Sequence, residues 1–129
     1  MRTLGAEIAT VTDGEVRIRL PASPRILQQH GFAHAGAIAS IADSACGYAC
    51  LTKMPEDAAV LSVEFKINLL APATGPSFLA VGKVVRAGKT ICVATAEVFA
   101  EGTGEQAPKC IAVMQATMMR VETRGGLSG

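Results

Sequence analysis

The stretch that most constrains the fold of this chain is the run from Gly36 to Leu51, built almost wholly from Gly, Ala, Ser, Cys and Ile, with no proline and with Tyr48 as its only aromatic residue. Such a run reads as one helix. Its small side chains give little contrast between faces, so it is expected to be covered on most sides rather than along a single apolar stripe. Asp43 breaks this pattern. Burying a carboxylate without partners is costly, so its place among alanines needs a cause. It is a residue on a partly exposed face, or one bonded to a neighbouring backbone donor, or a functional carboxylate held in an apolar cleft. The segment just upstream, Gly31 and then His34-Ala35-Gly36, leads into the helix start. Free backbone N–H groups there form a positive dipole end that suits a developing oxyanion.

A chain of 129 residues is long enough for one domain that buries roughly two-thirds of its unfolded surface. We take residues 1–122 as that domain and expect the tail 123–129, which has no core pattern, to be disordered. Half of the residues are hydrophobic but only 4% are aromatic and none is Trp, so the core is made of small and branched side chains. A net charge of +1, spread over scattered basic residues, leaves no electrostatic footprint for nucleic acid. The first ten residues lack an apolar signal core, and the Ala-rich run is short for a membrane span and carries Asp43 near its middle. A cytoplasmic protein that does not bind membranes is expected. Cys46, Cys50, Cys92 and Cys110 stand among small apolar residues and read as buried free thiols. Cys46 and Cys50 share a helix face, but no second pair completes a metal site, and no cofactor is expected.

Along the chain, Leu4 to Val11 reads as a strand, and Asp13-Gly14 as a hairpin turn into Glu15–Leu20. There Val16, Ile18 and Leu20 face one way and Arg17 and Arg19 the other, so one sheet face is polar. Pro21 and Pro24 begin an irregular connection to the helix. Beyond Met54–Asp57, strict alternation predicts a strand with Leu61, Val63, Phe65, Ile67 and Leu69 on one face and Ser62, Glu64, Lys66 and Asn68 on the other. Phe78–Val85 and Lys89–Phe99 form two more strands about a tight turn at 86–89, and Lys109–Val121 a last one. One antiparallel sheet of about six strands, curled around one long buried helix, satisfies this α+β order.

Asp43 and the Ala35 N–H would have to lie within about 3–4 Å of the same carbonyl group to act on it together. Eight helical positions separate them by about 12 Å. If two helices lie antiparallel about a two-fold axis, Asp43 of one chain approaches the helix start of the other and two equivalent sites result. A homodimer is therefore expected.

These residues resemble the hotdog-fold acyl-CoA thioesterases, in particular the phenylacetate-degradation (PaaI-type) branch. Gln28 lies six positions before His34 and Gly31 three before it, with Asp43 nine after it. Ser62 to Pro72 is similar to the family's strand that ends in a Pro-bearing turn, and Arg86-Ala87-Gly88-Lys89-Thr90 is similar to its basic hairpin. The resemblance implies an acyl-CoA substrate, no cofactor, and a dimer that pairs into a dimer of dimers. It implies that Asp43 is the nucleophile or the general base, that the Ala35 N–H polarises the thioester carbonyl, that Gln28 orients the thioester or the water, and that Ser62 helps place that water. Arg86, Gly88, Lys89 and Thr90 would meet the CoA moiety. His34 is a candidate base by residue type, but the resemblance implies a structural residue bonded to nearby backbone; His30 and Tyr48 read as packing or rim residues. Ala35 replaces the family's first turn glycine, which preserves the donor if the position takes helix-start dihedrals and strains the turn if it needs positive φ. The competing readings are a non-catalytic acyl-CoA-binding module and a hotdog hydratase or dehydratase.

Overall fold

The computed structural model describes residues 3–28 and 31–122. The expectations for His30 and for the tail 123–129 fall outside these residues. Six strands and one helix follow in the order β1 (Glu7–Thr12), β2 (Glu15–Pro21), α1 (Ala35–Leu51), β3 (Ala58–Leu69), β4 (Ser77–Ala87), β5 (Ile91–Glu101) and β6 (Lys109–Glu122). The strands form one antiparallel sheet with neighbours in the order β1-β2-β4-β5-β6-β3. The helix packs on one face of this sheet, which is the hotdog fold. Strand β1 starts three residues later than the hydrophobic pattern suggests, and β3 begins at Ala58, three residues before the first alternating leucine. The β4–β5 turn is Gly88-Lys89-Thr90, because β4 runs on through Arg86 to Ala87.

The core lies between α1 and the inner sheet face. Side chains directly opposite one another in paired strands project to the same side, so the register places Val16, Gly82, Ala96, Met114 and Ile67 in one row beneath the helix. The centre of this row is small for a steric reason. A Cβ on Gly82 would overlap the Ala45 carbonyl and lie 2.9 Å from the Cys46 nitrogen. The helix backbone therefore rests directly on the β4 backbone, and only glycine fits between them. At its far end α1 is tied to the β1–β2 turn. Gly14, at φ 82°, donates its N–H to Thr52 Oγ1 at 2.8 Å, and Lys53 Nζ meets Asp13 Oδ2 at 3.0 Å.

The outer sheet face is polar where the alternation in β2 requires it. Arg19 donates to both carboxylate oxygens of Glu101, at 2.8 and 3.1 Å, and Ser77 Oγ donates to Glu101 Oε1 at 2.7 Å. The Arg19 guanidinium holds the Glu101 carboxyl below the ordinary glutamate range, and the bonded carboxylate raises Arg19 in turn.

One expectation holds with an exception and one is corrected. Nine of the 17 residues of α1 are buried, so the helix is covered on most sides, but Gly36, Ser40 and Tyr48 are exposed, and Asp43, Ser44 and Leu51 are half-buried. These positions recur every three to four residues and form one open stripe. The strict alternation in β3 is interrupted. The register with β6 shifts between Ser62 and Glu64, which makes Val63 the extra residue of a bulge. Ser62 stands opposite Met118, while Phe65, Ile67 and Leu69 stand opposite Ala116, Met114 and Ala112. Those four β6 residues are all buried against the helix. Ser62 therefore shares the inner face with Phe65, Ile67 and Leu69, and Leu61 lies on the other side.

Candidate active site

Asp43 sits on the open stripe of α1 where that stripe meets the edge of the sheet. The rise of the helix over Gly82 sets its height, and the bulge in β3 brings Ser62 to it. The Ser62 hydroxyl lies 2.9 Å from Asp43 Oδ1 and 3.4 Å from Met118 Sδ. A hydroxyl has one proton to donate, and the carboxylate, closer and charged, is the stronger acceptor. Asp43 and Ser62 open into a cavity of about 360 Å³, floored by Gly47, Val60 and Met118 and flanked by Tyr48 and Leu51. Met118, a buried thioether under the serine, went unread in the sequence; its inward position in β6 was the signal. Gly82 was missed as well, although a glycine inside an alternating strand marks a close backbone approach.

Gln28 and Ala35 line a different cavity, of about 460 Å³, together with Phe32, Ile38, Leu70 and Ile111. A short bridge holds this corner together. Leu27 pairs with Ala33, the Gln28 N–H donates to the Phe32 carbonyl at 2.6 Å, and the Ala33 N–H donates to the Ala73 carbonyl at 2.9 Å. Ala35 is the first residue of α1, so its N–H has no partner inside the helix, nor does it have one among the described residues. No residue other than glycine takes a positive φ among the described residues. Ala35 therefore fits the turn without strain, and the donor that a glycine would supply is retained.

His34 caps the helix in extended conformation, at φ −61° and ψ 138°, with no side-chain capping bond. Its backbone does the structural part: the N–H donates to the Ile26 carbonyl at 2.8 Å, and the carbonyl accepts from Ala37 and Ile38 at 3.0 and 3.2 Å. The ring is exposed and has no hydrogen bond among the described residues, so the structural role lies in the main chain rather than in the imidazole.

The hairpin 86–90 is exposed throughout. Gly88 donates its N–H to the Ile91 carbonyl at 2.8 Å, and a Cβ there would lie 2.8 Å from that same oxygen. Glycine is therefore required by the turn. Arg86 stands opposite Val93, which stands opposite Thr117, on the outer face of the sheet. The Arg120 N–H donates to the Thr90 carbonyl at 2.7 Å, and Arg120 stands opposite Val60. The hairpin tip thus lies at the same end of the sheet as the cavity holding Asp43 and Ser62.

The four cysteines are free, three of them buried and Cys110 half-buried. Burial pushes the Cys46 thiol up to about 12, with the Asp43 charge and Cys92 adding to it. Cys50 is raised as well, first by burial and then by its hydrogen bond with Cys92. Thiols so protonated are poor nucleophiles. Among the described residues no three His, Cys, Asp or Glu side chains converge as a metal site, and no helix is long and apolar enough to cross a membrane.

Residues 30–107 match the family model described as the thioesterase superfamily. This chain belongs to that superfamily. A crystal structure of a thioesterase family protein from Silicibacter pomeroyi is 48% identical, with a TM-score of 0.90, covering 95% of this chain and 88% of that one. The structure of a conserved protein from Pseudomonas aeruginosa is 28% identical, with a TM-score of 0.83 over 93% of this chain and 91% of its own. A Halobacterium salinarum protein provisionally named an esterase is 31% identical over 116 residues, 85% of this chain and 76% of its own length. In this thioesterase-superfamily chain the matched segment contains Ala35, Asp43, Ser62 and the whole basic hairpin, but not Gln28.

Proposed function

We propose that the protein hydrolyses acyl-CoA thioesters, in the manner of the PaaI-type branch, at sites shared between two copies of the chain. The observation that carries this reading is the division of the polar groups. Asp43 and Ser62 line one cavity, Gln28 and Ala35 line another, and about 12 Å of helix separates the carboxylate from the amide. A two-fold axis that sets the helices antiparallel brings Asp43 of one protomer to the partner subunit's Ala35 and joins the two cavities into one cleft.

The sheet edge favours such pairing. Strand β3 is an outer strand and exposes Leu61, Val63, Phe65 and Leu69, each by 45–55%. A long apolar edge of this kind calls for a cover. A partner's β3 supplies one and also closes the open stripe of α1.

In the joined cleft the Ala35 N–H, at the positive end of the helix, receives the thioester oxygen as charge develops on it. Asp43 either adds to the carbonyl carbon or takes a proton from a water that adds to it. The tetrahedral intermediate then collapses with loss of the CoA thiolate, which takes up a proton to leave as the thiol; when water has added, the acyl group is released as the acid, and when Asp43 has added, it is left as a mixed anhydride on Asp43 that water hydrolyses in a second step to the acid and the free carboxylate. Ser62, by donating to Oδ1, keeps the other carboxylate oxygen turned toward the substrate. Gln28 orients the thioester or the water through its amide, and Arg86 and Lys89 meet the CoA phosphates.

The test is thiol release from a panel of aryl and aliphatic CoA esters. The wild-type chain is expected to turn over. Asp43→Asn is expected to lose at least about 10³-fold in kcat while keeping its circular dichroism spectrum and dimer mass. Single turnover in ¹⁸O-water probes the two roles of Asp43, because label in the Asp43 carboxylate requires direct attack followed by addition of water at the aspartyl carbon, whereas a general base leaves Asp43 unlabelled. Retained activity in Asp43→Asn, or full activity in a monomer, refutes the proposal.

A further inference from the structure

The geometry points to Met118 as a positioning residue for the proposed hydrolysis: its sulfur keeps the Ser62 hydroxyl in place during the part of the cycle in which Asp43 carries no charge. This rests on the thioesterase reading above and deepens it by giving a core side chain a part in it. In that reading Asp43 loses its charge in either role. As a base it takes up a proton, and as a nucleophile it becomes a mixed anhydride. A hydrogen bond to a charged acceptor is roughly twice as strong as one to a neutral acceptor, so the hold of Asp43 on Ser62 is weakest in mid-cycle. A serine side chain has three staggered rotamers, and a second acceptor on the same rotamer keeps the oxygen where it was. Met118 is that acceptor. Its Sδ lies 3.4 Å from Ser62 Oγ, against 2.9 Å for Asp43 Oδ1. Rotation about the Cβ–Oγ bond alone carries the hydroxyl proton from one acceptor to the other. Three features bring the sulfur there. Met118 stands directly opposite Ser62 in the register of β6 and β3, where facing side chains project to the same side. It is 1% exposed, so bulk water does not compete for its lone pairs. Above it the helix presents Gly47, where a Cβ would lie 3.9 Å from Met118 Cε and 4.0 Å from Sδ, so the bare glycine leaves the thioether its place. An aliphatic side chain of similar volume would fill that space as well, but only the thioether adds a soft, weak acceptor.

Crystal structures of two variants and a comparison of rates test this. Asp43→Asn puts a neutral group where the carboxylate stands. Its structure should show Ser62 Oγ still within hydrogen-bond reach of Met118 Sδ, and the double variant Asp43→Asn with Met118→Leu should show the hydroxyl spread over other rotamers. Ser62 turned away in the first, or unmoved in the second, overturns the proposal, and neither result depends on turnover. In thiol release, Met118→Leu should lower kcat about 3–10-fold, the worth of one ordinary hydrogen bond, and leave KM within about twofold. In a Ser62→Ala background the same change should have no further effect, because the group that the sulfur holds is gone. An equal loss in both backgrounds, or an unchanged kcat in Met118→Leu, marks Met118 as packing alone and overturns the proposal. Leucine also changes the shape of the core, so norleucine or selenomethionine in place of every methionine repeats the comparison at constant shape. Norleucine, with a methylene for the sulfur, should lose the same factor as Met118→Leu, and selenomethionine should keep the wild-type rate. Full activity with norleucine overturns the proposal. Failure of the thioesterase reading shows separately, as the expected rotamers in both crystal structures with no thiol release from the wild-type protein.

Discussion

Gly82 offers a test of how the fold holds the proposed carboxylate at its working height. In Gly82→Ala the new methyl would overlap the Ala45 carbonyl and approach the Cys46 nitrogen to 2.9 Å. Both are main-chain atoms of a helix tied down at its far end by Thr52 and Lys53, so no side chain can rotate out of the way. Relief requires the middle of α1 to lift by about 1 Å from the sheet, against a close-packed interior. Overpacking of this kind costs about 1–3 kcal/mol, which for a chain of this size lowers Tm by roughly 5–12 °C. Asp43 is two residues from Ala45, and an error of about 1 Å in a reacting group costs about 10²-fold in rate. Thermal unfolding by circular dichroism and thiol release from an acyl-CoA measure the two effects. Gly47→Ala is the control, because its methyl would lie 3.5 Å from Val60 Cγ2 and 3.9 Å from Met118 Cε, which is ordinary contact. It should unfold no lower than wild type, given the gain in helix propensity of about 1 kcal/mol. If Gly82→Ala melts with wild type, or no lower than Gly47→Ala, the helix does not rest on β4 as described.

Ser62→Ala should lower kcat by about 10–100-fold, as expected for loss of one charge-assisted hydrogen bond, with little change in Tm; Ser62→Thr, which keeps the hydroxyl, should restore most of the rate. Glu101 is held below the ordinary glutamate value of 4.5, first by Arg19, so the stability it contributes is present above that value and is lost as pH falls through the lower folded one. The Tm difference between wild type and Glu101→Gln should therefore be constant from pH 8 to pH 5 and vanish in more acidic buffer; it should stay small, within about 1 kcal/mol, because Arg19 is 42% exposed. Cys46, with its thiol near 12, should react with an aromatic disulfide reagent at pH 8 only once the chain unfolds, and rapid modification in the native state would contradict its burial.

The helix was legible in the sequence because a proline-free run of small residues has few other uses, and the strands because hydrophobic alternation has a period that a helix lacks. The contrast in β2, with Val16, Ile18 and Leu20 inward and Arg17 and Arg19 outward, carried over intact. What the sequence hid was any feature set by two segments at once. The open stripe of α1 could not be read from α1, since small residues pack equally well against a sheet or against a second chain. Gly82 matters only because Ala45 lies over it. The meeting of Gln28 with Ala35 depends on the Leu27–Ala33 bridge and its bond to Ala73, and that of Asp43 with Ser62 on the bulge in β3; no periodicity encodes either. The likeness to a known family supplied the roles of these residues, while the spatial division emerged from the fold.

The bulge at Val63 has the largest consequence for the proposed site, because side-chain direction in a strand reverses with every residue. Val63 is the residue without a partner, since Ser62 and Glu64 stand opposite the consecutive Met118 and Thr117. Deleting it should restore unbroken alternation with neither half of β3 turned over. The half after the bulge stays held by Phe65, Ile67 and Leu69 against Ala116, Met114 and Ala112, and by the Leu70 N–H to the Ile111 carbonyl at 2.8 Å. The half before it keeps Ala58, Val60 and Ser62 on the inner face, with Ser62 beside Asp43. The deletion variant should then fold with a loss of about 1–3 kcal/mol and should hydrolyse acyl-CoA faster than Ser62→Ala. A folded deletion variant as slow as Ser62→Ala would show that Ser62 had left the inner face, and the assignment of Val63 as the extra residue would fail.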